Sequence, residues 1–292
     1  MKLNRRNYYG PKANREFMSK SQFSNWQRCE AATLAELNRE WEPEPSVALL
    51  VGGYIDAALD SPKELARFKE EHPEILNSRT GELKADYKQA ELIVKRCKSD
   101  RLFALLTGNA PETRKHVKRQ VIFVGEIGGV PFRGKADYLL NETACKIIMA
   151  EFPGTSEALG GPFTEGAIVD LKSAKDFASV WVESQGRRVN WISAWDYEMQ
   201  GAIYRELYRQ MTGKTLPFVI VAATKEKVTD LDALYIPSTD LDAALEFVEE
   251  QAPLYENVKQ GRAEPIRCGR CDYCKATREL TKIRNYKELD LC

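Results

Sequence analysis

Apolar residues recur near every 3.6 positions from Ser19 to about Trp41, with Phe23, Trp26, Ala31, Leu34 and Leu37 on one stripe. This predicts a helix capped by Ser19 or Ser21 and broken by Pro43 and Pro45. Ser46–Leu59 reads as a second, largely apolar helix with Gly52-Gly53 inside it. Two interior glycines cost about 1 kcal/mol each relative to alanine, so close backbone packing or a nearby site is expected there. Ser61-Pro62 opens a short helix to about His72, and residues 84–107 form a longer one. The pattern then changes. Gln120–Ile127 and Val130–Leu140 are strand-like around a Gly128-Gly129 turn. Thr143–Glu151 reads as a third strand and Ala167–Ser173 as a fourth, separated by a Gly/Pro-rich loop over 152–165. A long helix from about Asn190 to Met211, a buried strand Pro217–Thr224, a short edge strand Ala233–Pro237 and an amphipathic helix Thr239–Gln260 complete the pass.

Helices first, then a hairpin-rich sheet, then helix, two strands and helix, predict an α/β fold with a mixed central sheet flanked by helices. Residues 1–18 are polar and turn-rich, and are expected to be a poorly packed basic arm. Residues 19–292 are read as a single domain. Its N-terminal helical region spans 19–110, the sheet core spans 120–237, and the C-terminal helix and cysteine-rich basic tail span 238–292. The chain has 292 residues, 43% hydrophobic and 29% charged, which suits one large globular domain. No apolar run reaches the ~18 residues that span a bilayer, so no membrane association is expected. Met1-Lys2-Leu3-Asn4-Arg5-Arg6 is basic but has no apolar stretch behind it, unlike a secretory signal. A cytoplasmic protein is the expectation.

Formal net charge is zero, so bulk charge gives no argument for nucleic acid. The distribution is uneven: residues 1–20 carry six basic groups against Glu16, and 259–288 carry nine against four acidic ones, a net +5 at each end. Such ends are either solvated tails or basic arms beside a phosphate-binding groove.

Two strand segments concentrate the candidate chemistry. In Gly134-Lys135-Ala136-Asp137, Lys135 and Asp137 share a strand face; in Asp170-Leu171-Lys172, Asp170 and Lys172 share another. Two carboxylates with a lysine suit phosphodiester hydrolysis. Hard oxygen ligands hold Mg²⁺ or Mn²⁺ against the scissile phosphate, and the lysine offsets developing charge. An isolated Asp-x-Lys is more often an ion pair on an exposed strand. The next predicted helix adds Gln200 and Tyr204 at i and i+4, on one helical face.

In order, these segments resemble the RecB-type branch of the PD-(D/E)XK nucleases, which carries Gly-x-x-Asp, Asp/Glu-x-Lys and Gln-x-x-x-Tyr motifs after a Gly-x-x-x-His motif. Gly52-Gly53-Tyr54-Ile55-Asp56 stands where the first motif falls, with Asp56 in place of the histidine. A helix-surface charge is the bland reading of Asp56. Over roughly residues 20–280 the chain is similar to the phage and prophage exonuclease VIII (RecE-like) family. The shared features are the Phe23–Ala31 segment, the Gly-Gly-Tyr element, the two strand motifs and the Cys-Gly-Arg-Cys-Asp-Tyr-Cys tail. That resemblance implies a restriction-endonuclease-like core and a metal-dependent DNA exonuclease acting on double-stranded DNA ends, resecting 5′ to 3′ so that a single-strand annealing protein can load. It implies Asp56, Asp137, Asp170 and the Leu171 carbonyl as metal ligands and Lys172 as partner of the attacking water. Gln200 and Tyr204 would support the site and touch the DNA backbone. Glu126 and Glu165 are acidic neighbours without an assigned role. Structure-specific endonuclease action and non-catalytic DNA binding in a recombination complex are the rival readings. Oligomeric state is not legible.

Cys268, Cys271 and Cys274 form Cys-x2-Cys-x2-Cys, a spacing suited to a tetrahedral ion or a cluster, with Cys29 and Cys292 as candidate fourth ligands. Three reduced, unliganded thiols are the bland reading. Similarity to helicase–nucleases of the AddB type, which hold a [4Fe–4S] cluster with one N-terminal and three C-terminal cysteines, favours Cys29 and a staple tying the two chain ends around the nuclease core. Zn²⁺ is the alternative occupant. Cys97 and Cys145 lie in apolar patterns and are read as core. His72 and His116 are the only histidines, in charged contexts, which disfavours histidine-based hydrolysis. No Gly-rich phosphate loop of the Walker type is present, which disfavours an ATPase. Trp181, Trp191 and Trp195 precede the Gln200 helix and are expected to pack in the core, with stacking on a frayed DNA end as the alternative.

Overall fold

A computed structural model describes residues 1–44, 46–155, 161–183, 186–283 and 285–286, with the side chains of 161 and 162 left out. The chain divides into two compact units: one made of Met1–Lys20 and Glu44–Pro253, the other of Ser21–Pro43 and Leu254–Cys292.

The first unit is built on a five-stranded mixed sheet of order β1-β2-β3-β6-β7. Strands β1 (Val117–Ile127) and β2 (Val130–Asn141) form the expected antiparallel hairpin across Gly128 and Gly129, both at positive φ. Strand β3 (Gly166–Ala174) pairs antiparallel with β2 and parallel with β6 (Phe218–Thr224), which pairs antiparallel with β7 (Leu231–Ile236). All seven residues of β6 are buried, which accounts for its uninterrupted apolar run. One face of the sheet carries Tyr138, Leu140, Val169, Leu171, Val219 and Val221. These pack with apolar residues of α4 (Val47–Asp60), α6 (Ala85–Ser99), α7 (Arg101–Leu106) and α8 (Glu142–Glu151). Cys97 and Cys145 are fully buried there. The other face packs on the long helix α10 (Tyr197–Thr212), whose Leu207 and Tyr204 approach Gly125 and Gly134.

Several sequence expectations change. Thr143–Glu151 is not a strand but the helix α8. Asn141 caps it, its side chain accepting the Ala144 N–H at 3.0 Å, and the buried Ala144, Cys145 and Ile148 fall at helical spacing. A short apolar run fits either period, and the cap decides it. The 19–41 helix is two, α2 (Lys20–Arg28) and α3 (Glu30–Asn38), interrupted at Cys29 in extended backbone. The 84–107 helix is likewise broken at Asp100, whose side chain caps α7 by accepting the Phe103 N–H. Residues 1–18 are not a loose arm. They include α1 (Pro11–Glu16); Tyr8, Ala13 and Met18 are buried, and Met18 exchanges main-chain hydrogen bonds with Pro131 and Arg133 of β2. Between β3 and α10 lies an additional hairpin, β4 (Val180–Val182) with β5 (Arg187–Val189), followed by the one-turn helix α9 (Trp191–Ala194). Of the three tryptophans only Trp191 is buried, stacked on Phe177. Trp181 and Trp195 are exposed, so core packing fails for them.

In the second unit, α2 and α3 pack with the C-terminal segment. Phe23 and Trp26 contact the Tyr255 ring, the Ala31 N–H donates to the Ile266 carbonyl, and Trp41 meets Tyr273. The helix α11 (Ser238–Lys259) contributes its last residues, beyond the internal Pro253. The short helix α12 (Asp272–Ala276) follows the cysteine run. Among the described residues no helix is long and apolar enough to cross a membrane.

Candidate active site

The β2–β3 ladder runs from Asn141↔Gly166 to Tyr138↔Val169 and then stops. Continued, it would place Asp137 opposite Asp170. Two carboxylates facing each other on one face of a sheet repel, and the strands part there while β3 stays paired with β6 through Ala174. The Leu171 N–H, freed from the ladder, donates to Asp137 Oδ2 at 2.9 Å. Asp137 is thus fixed in the gap it opens. Its other oxygen accepts from Gln120 Nε2 at 3.1 Å. Gln120 sits in mid-strand at φ +52°, a left-handed conformation that a non-glycine residue adopts only when its surroundings impose it. No sequence signal marks it.

Asp170 is almost wholly buried. Its Oδ1 accepts from Gln200 Nε2 at 2.7 Å, and its Oδ2 touches the Lys172 ammonium group. Gln200 Oε1 in turn accepts from Lys172 Nζ at 2.9 Å, so the amide bridges the Asp-x-Lys pair. Both polar ends of the buried Gln200 side chain are thus engaged with the Asp-x-Lys pair. Tyr204, one turn on, lies against Gly134: a Cβ at that glycine would stand 2.7 Å from the ring. The motif glycine is therefore a packing requirement. The Lys172 Nζ also sits 4.7 Å above the Tyr197 ring centroid.

Asp56 comes from α4 into the same cleft. Helix α4 is anchored at its C-terminus by Arg119, which donates to the Leu59 carbonyl at 3.0 Å and to the Asp60 carbonyl. Of the two glycines of α4, Gly53 serves close approach, since a Cβ there would lie 2.9 Å from Phe68, whereas one on Gly52 would make an ordinary contact 3.5 Å from Ser173 Oγ. The cleft, about 390 Å³, is lined by Asp56, Asp137, Asp170, Leu171, Lys172, Gln200 and Tyr204 together with Arg5, Tyr9, Gln120 and Lys135. Arg5, Tyr9 and Gln120 are cleft residues that the motifs did not indicate. Glu126 and Glu165 are elsewhere. Glu126 is exposed on β1, and exposed Glu165 pairs with Lys214 at 3.8 Å. His72 and His116 also lie outside the cleft lining.

The electrostatics are those of crowded acids. Asp56 is open to the water of the cleft yet walled in by protein. Burial and the Asp170 charge outweigh the opposing pull of Lys172 and push its carboxyl up to about 7. Burial, then Asp170 and Asp56, raise Asp137 well above the usual carboxylate range. Burial alone would discharge Lys172, but Asp170, Tyr197 and Asp137 hold its proton and raise its pKa, so the group is a cation and a donor. This donor set fits a hard divalent ion: Asp56 and Asp137 oxygens that resist ionisation without a cation, crowded against Asp170.

The second unit gathers Cys29, Cys268, Cys271 and Cys274, whose sulfurs all lie within 4.8 Å of one another. Cys29 Sγ is 3.6 Å from Cys274 Sγ, which is 3.9 Å from Cys268 Sγ. Main-chain N–H groups of Cys271 and Cys274 point at the sulfurs of Cys268 and Cys271. Hydrogen bonding, led by the Arg270 main chain, lowers the Cys268 thiol to about 6, while burial raises Cys271 to about 12. Cys292 lies outside the described residues. A tetrahedral ion with metal–sulfur bonds near 2.3 Å sets its sulfurs about 3.8 Å apart, so the quartet fits a metal. Among the described residues it is the only group of three or more His, Cys, Asp or Glu side chains gathered this tightly.

The PDDEXK-like domain of unknown function (DUF3799) matches residues 19–148 and 163–277, which include every motif residue above. The chain belongs to this family. In this PDDEXK-like domain a mixed central sheet flanked by helices carries the acidic cleft, a nuclease fold. The chain is also similar to a protein from Eubacterium rectale whose crystal structure is described as a “Putative exonuclease”. The two are 34% identical over 99% of this chain and 98% of that one, with a TM-score of 0.82. No curated protein matches the chain.

Proposed function

We propose that the protein is a divalent-metal-dependent exodeoxyribonuclease that shortens linear double-stranded DNA, with exonuclease VIII (RecE-like) enzymes as its functional kin. One observation carries this reading. The β2–β3 ladder ends so that Asp137 takes the Leu171 N–H, which sets Asp137, Asp170 and Lys172 in one cleft with Asp56. Asp56, Asp137, Asp170 and the Leu171 carbonyl would hold Mg²⁺ or Mn²⁺, which would supply Lewis-acid polarisation of the scissile phosphate and an activated water. Lys172, fixed by Asp170 and Gln200, stays protonated. It orients the water and neutralises charge on the phosphate oxygens instead of acting as a base. Tyr204 and Gln200 keep the two motif strands in place from α10. Exposed Trp181, which faces Arg188 across the β4–β5 hairpin, and exposed Trp195 offer stacking surfaces for a frayed end. The resemblance to exonuclease VIII enzymes would imply 5′-to-3′ resection and a single-strand annealing partner.

For the cysteines, the sulfur spacing favours one tetrahedral ion such as Zn²⁺ over the [4Fe–4S] cluster, which spreads its cysteines farther apart. Iron and zinc analysis with absorbance near 400 nm on anaerobically purified protein separates the two.

The functional test is release of nucleotides from end-labelled linear duplex with Mg²⁺ or Mn²⁺, beside closed circular duplex. Label on the 5′ or 3′ end reads the polarity. Cutting of linear duplex alone supports an exonuclease, and cutting of the circle makes the enzyme an endonuclease. Full activity in both Asp170→Ala and Lys172→Ala defeats the assignment.

A further inference from the structure

The cleft's cations are not equivalent. Arg5 pairs with Asp60 at 3.6 Å, Arg67 with Glu64 at 2.8 Å, and Lys172 with Asp170. Lys135, on the same cleft wall, has no ion pair or hydrogen bond to a carboxylate among the described residues. Its ammonium group instead lies over two rings, 4.7 Å from the Tyr9 centroid and 5.6 Å from that of Tyr8. Those rings are a built platform. Buried Arg133 stacks on Tyr8 at 4.7 Å and holds the Tyr8 carbonyl and Asn14 Oδ1 with its guanidinium. Tyr9 is left 69% exposed beside the cleft. A lysine held on aromatic faces keeps all three donors available to an incoming anion.

Lys135 and Asp137 stand two residues apart on one face of β2, hence about 7 Å apart along the strand. We propose that Lys135, seated on Tyr9, binds the phosphate adjacent to the one being cut, and so sets where the substrate strand stops in the cleft. This rests on the nuclease reading. The ligand is a phosphate oxygen of DNA, from either an internal phosphodiester or a terminal phosphomonoester.

The test compares wild type, Lys135→Met and Lys135→Arg on linear duplexes with 5′-phosphate or 5′-hydroxyl ends, at several KCl concentrations with Mg²⁺. Methionine keeps a flexible apolar stem over the rings, and thermal unfolding checks its fold. Lys135→Met should raise KM about tenfold with kcat little changed, and should flatten the slope of log kcat/KM against log salt by about 0.9, one phosphate contact. Lys135→Arg should restore most of both. If the ligand is the terminal phosphate, wild type loses as much on the 5′-hydroxyl duplex as the variant does on the phosphorylated one, and the variant no longer distinguishes the ends. If it is internal, the loss is equal on both ends. An unchanged KM and salt slope overturns the proposal while leaving the nuclease reading intact. A changed Mg²⁺ requirement with an unchanged salt slope also overturns it, and makes Lys135 a counter-charge to Asp56. Failure of wild type to cut either duplex removes both readings.

Discussion

Gln120, held in a left-handed conformation in the middle of β1, donates its side-chain amide to Asp137, whose second oxygen takes the Leu171 N–H. Backbone strain of this kind costs roughly 1–3 kcal/mol and persists where the surroundings over-determine it. Gln120→Gly should remove the strain and raise stability by about 1 kcal/mol, while leaving Asp137 loosely held. Support of a ligand by such a partner is worth about 10–100-fold in metal affinity or activity. Thermal unfolding in EDTA and a Mg²⁺ titration of activity read the two effects separately. A Gly variant that is both more stable and equally active would show that the contact plays no part in the site.

Gly134 and Tyr204 make the second tight relationship. A methyl at Gly134 would press on the ring at 2.7–2.8 Å. Gly134→Ala should therefore destabilise by about 1–3 kcal/mol through overpacking, and should lower kcat by displacing Gln200 on the same helix. Gly134→Ala combined with Tyr204→Leu should recover stability, as measured by denaturant unfolding. Additive losses would mean that the ring is not the obstacle.

The acidic cleft predicts a pH dependence of the metal-free protein. The folded-state pKa of Asp56, about 7, lies above its ordinary value, so the folded chain binds this proton more tightly than the unfolded chain. The stabilising contribution is complete below about pH 4 and is lost as pH rises through 7. Asp137 acts in the same direction. Melting temperature in EDTA should fall from pH 5 to pH 8 less steeply in Asp56→Asn than in wild type. The Mg²⁺-induced rise in melting temperature should grow over that interval and shrink in the variant. Parallel curves for the two proteins would refute the crowding of charge at Asp56.

The thiol quartet predicts a structural metal. Cys29 begins α3 and Cys271 caps α12, so losing the ion releases both helices. Cys29→Ser should lose the bound metal, and chelation should lower the melting temperature of the wild type. Cys97→Ser and Cys145→Ser should keep the metal, being buried in the other unit's core. Metal content that is unaffected by Cys29→Ser would remove that residue from the site.

The linear sequence carried much of this protein by itself. The strand motifs, their order, the hairpin, the Gln200–Tyr204 helix face and the cysteine spacing are local patterns set by the 2.0 and 3.6 periodicities. The fold class followed from the order of elements. Other features needed three dimensions. The strand expected at Thr143–Glu151 is a helix because the Asn141 cap outweighs an ambiguous apolar run. The arm expected to be loose is pinned by Met18 and Arg133, which lie far apart in sequence. That pinning delivers Tyr9 beneath Lys135, and Arg5 to the cleft wall. Gln120 acquires its role only because a β-strand residue is forced into a left-handed conformation, which no residue type announces. The carboxylates are legible in the sequence; where the β2–β3 ladder stops decided how they meet, because like charges directly opposite each other on a ladder repel.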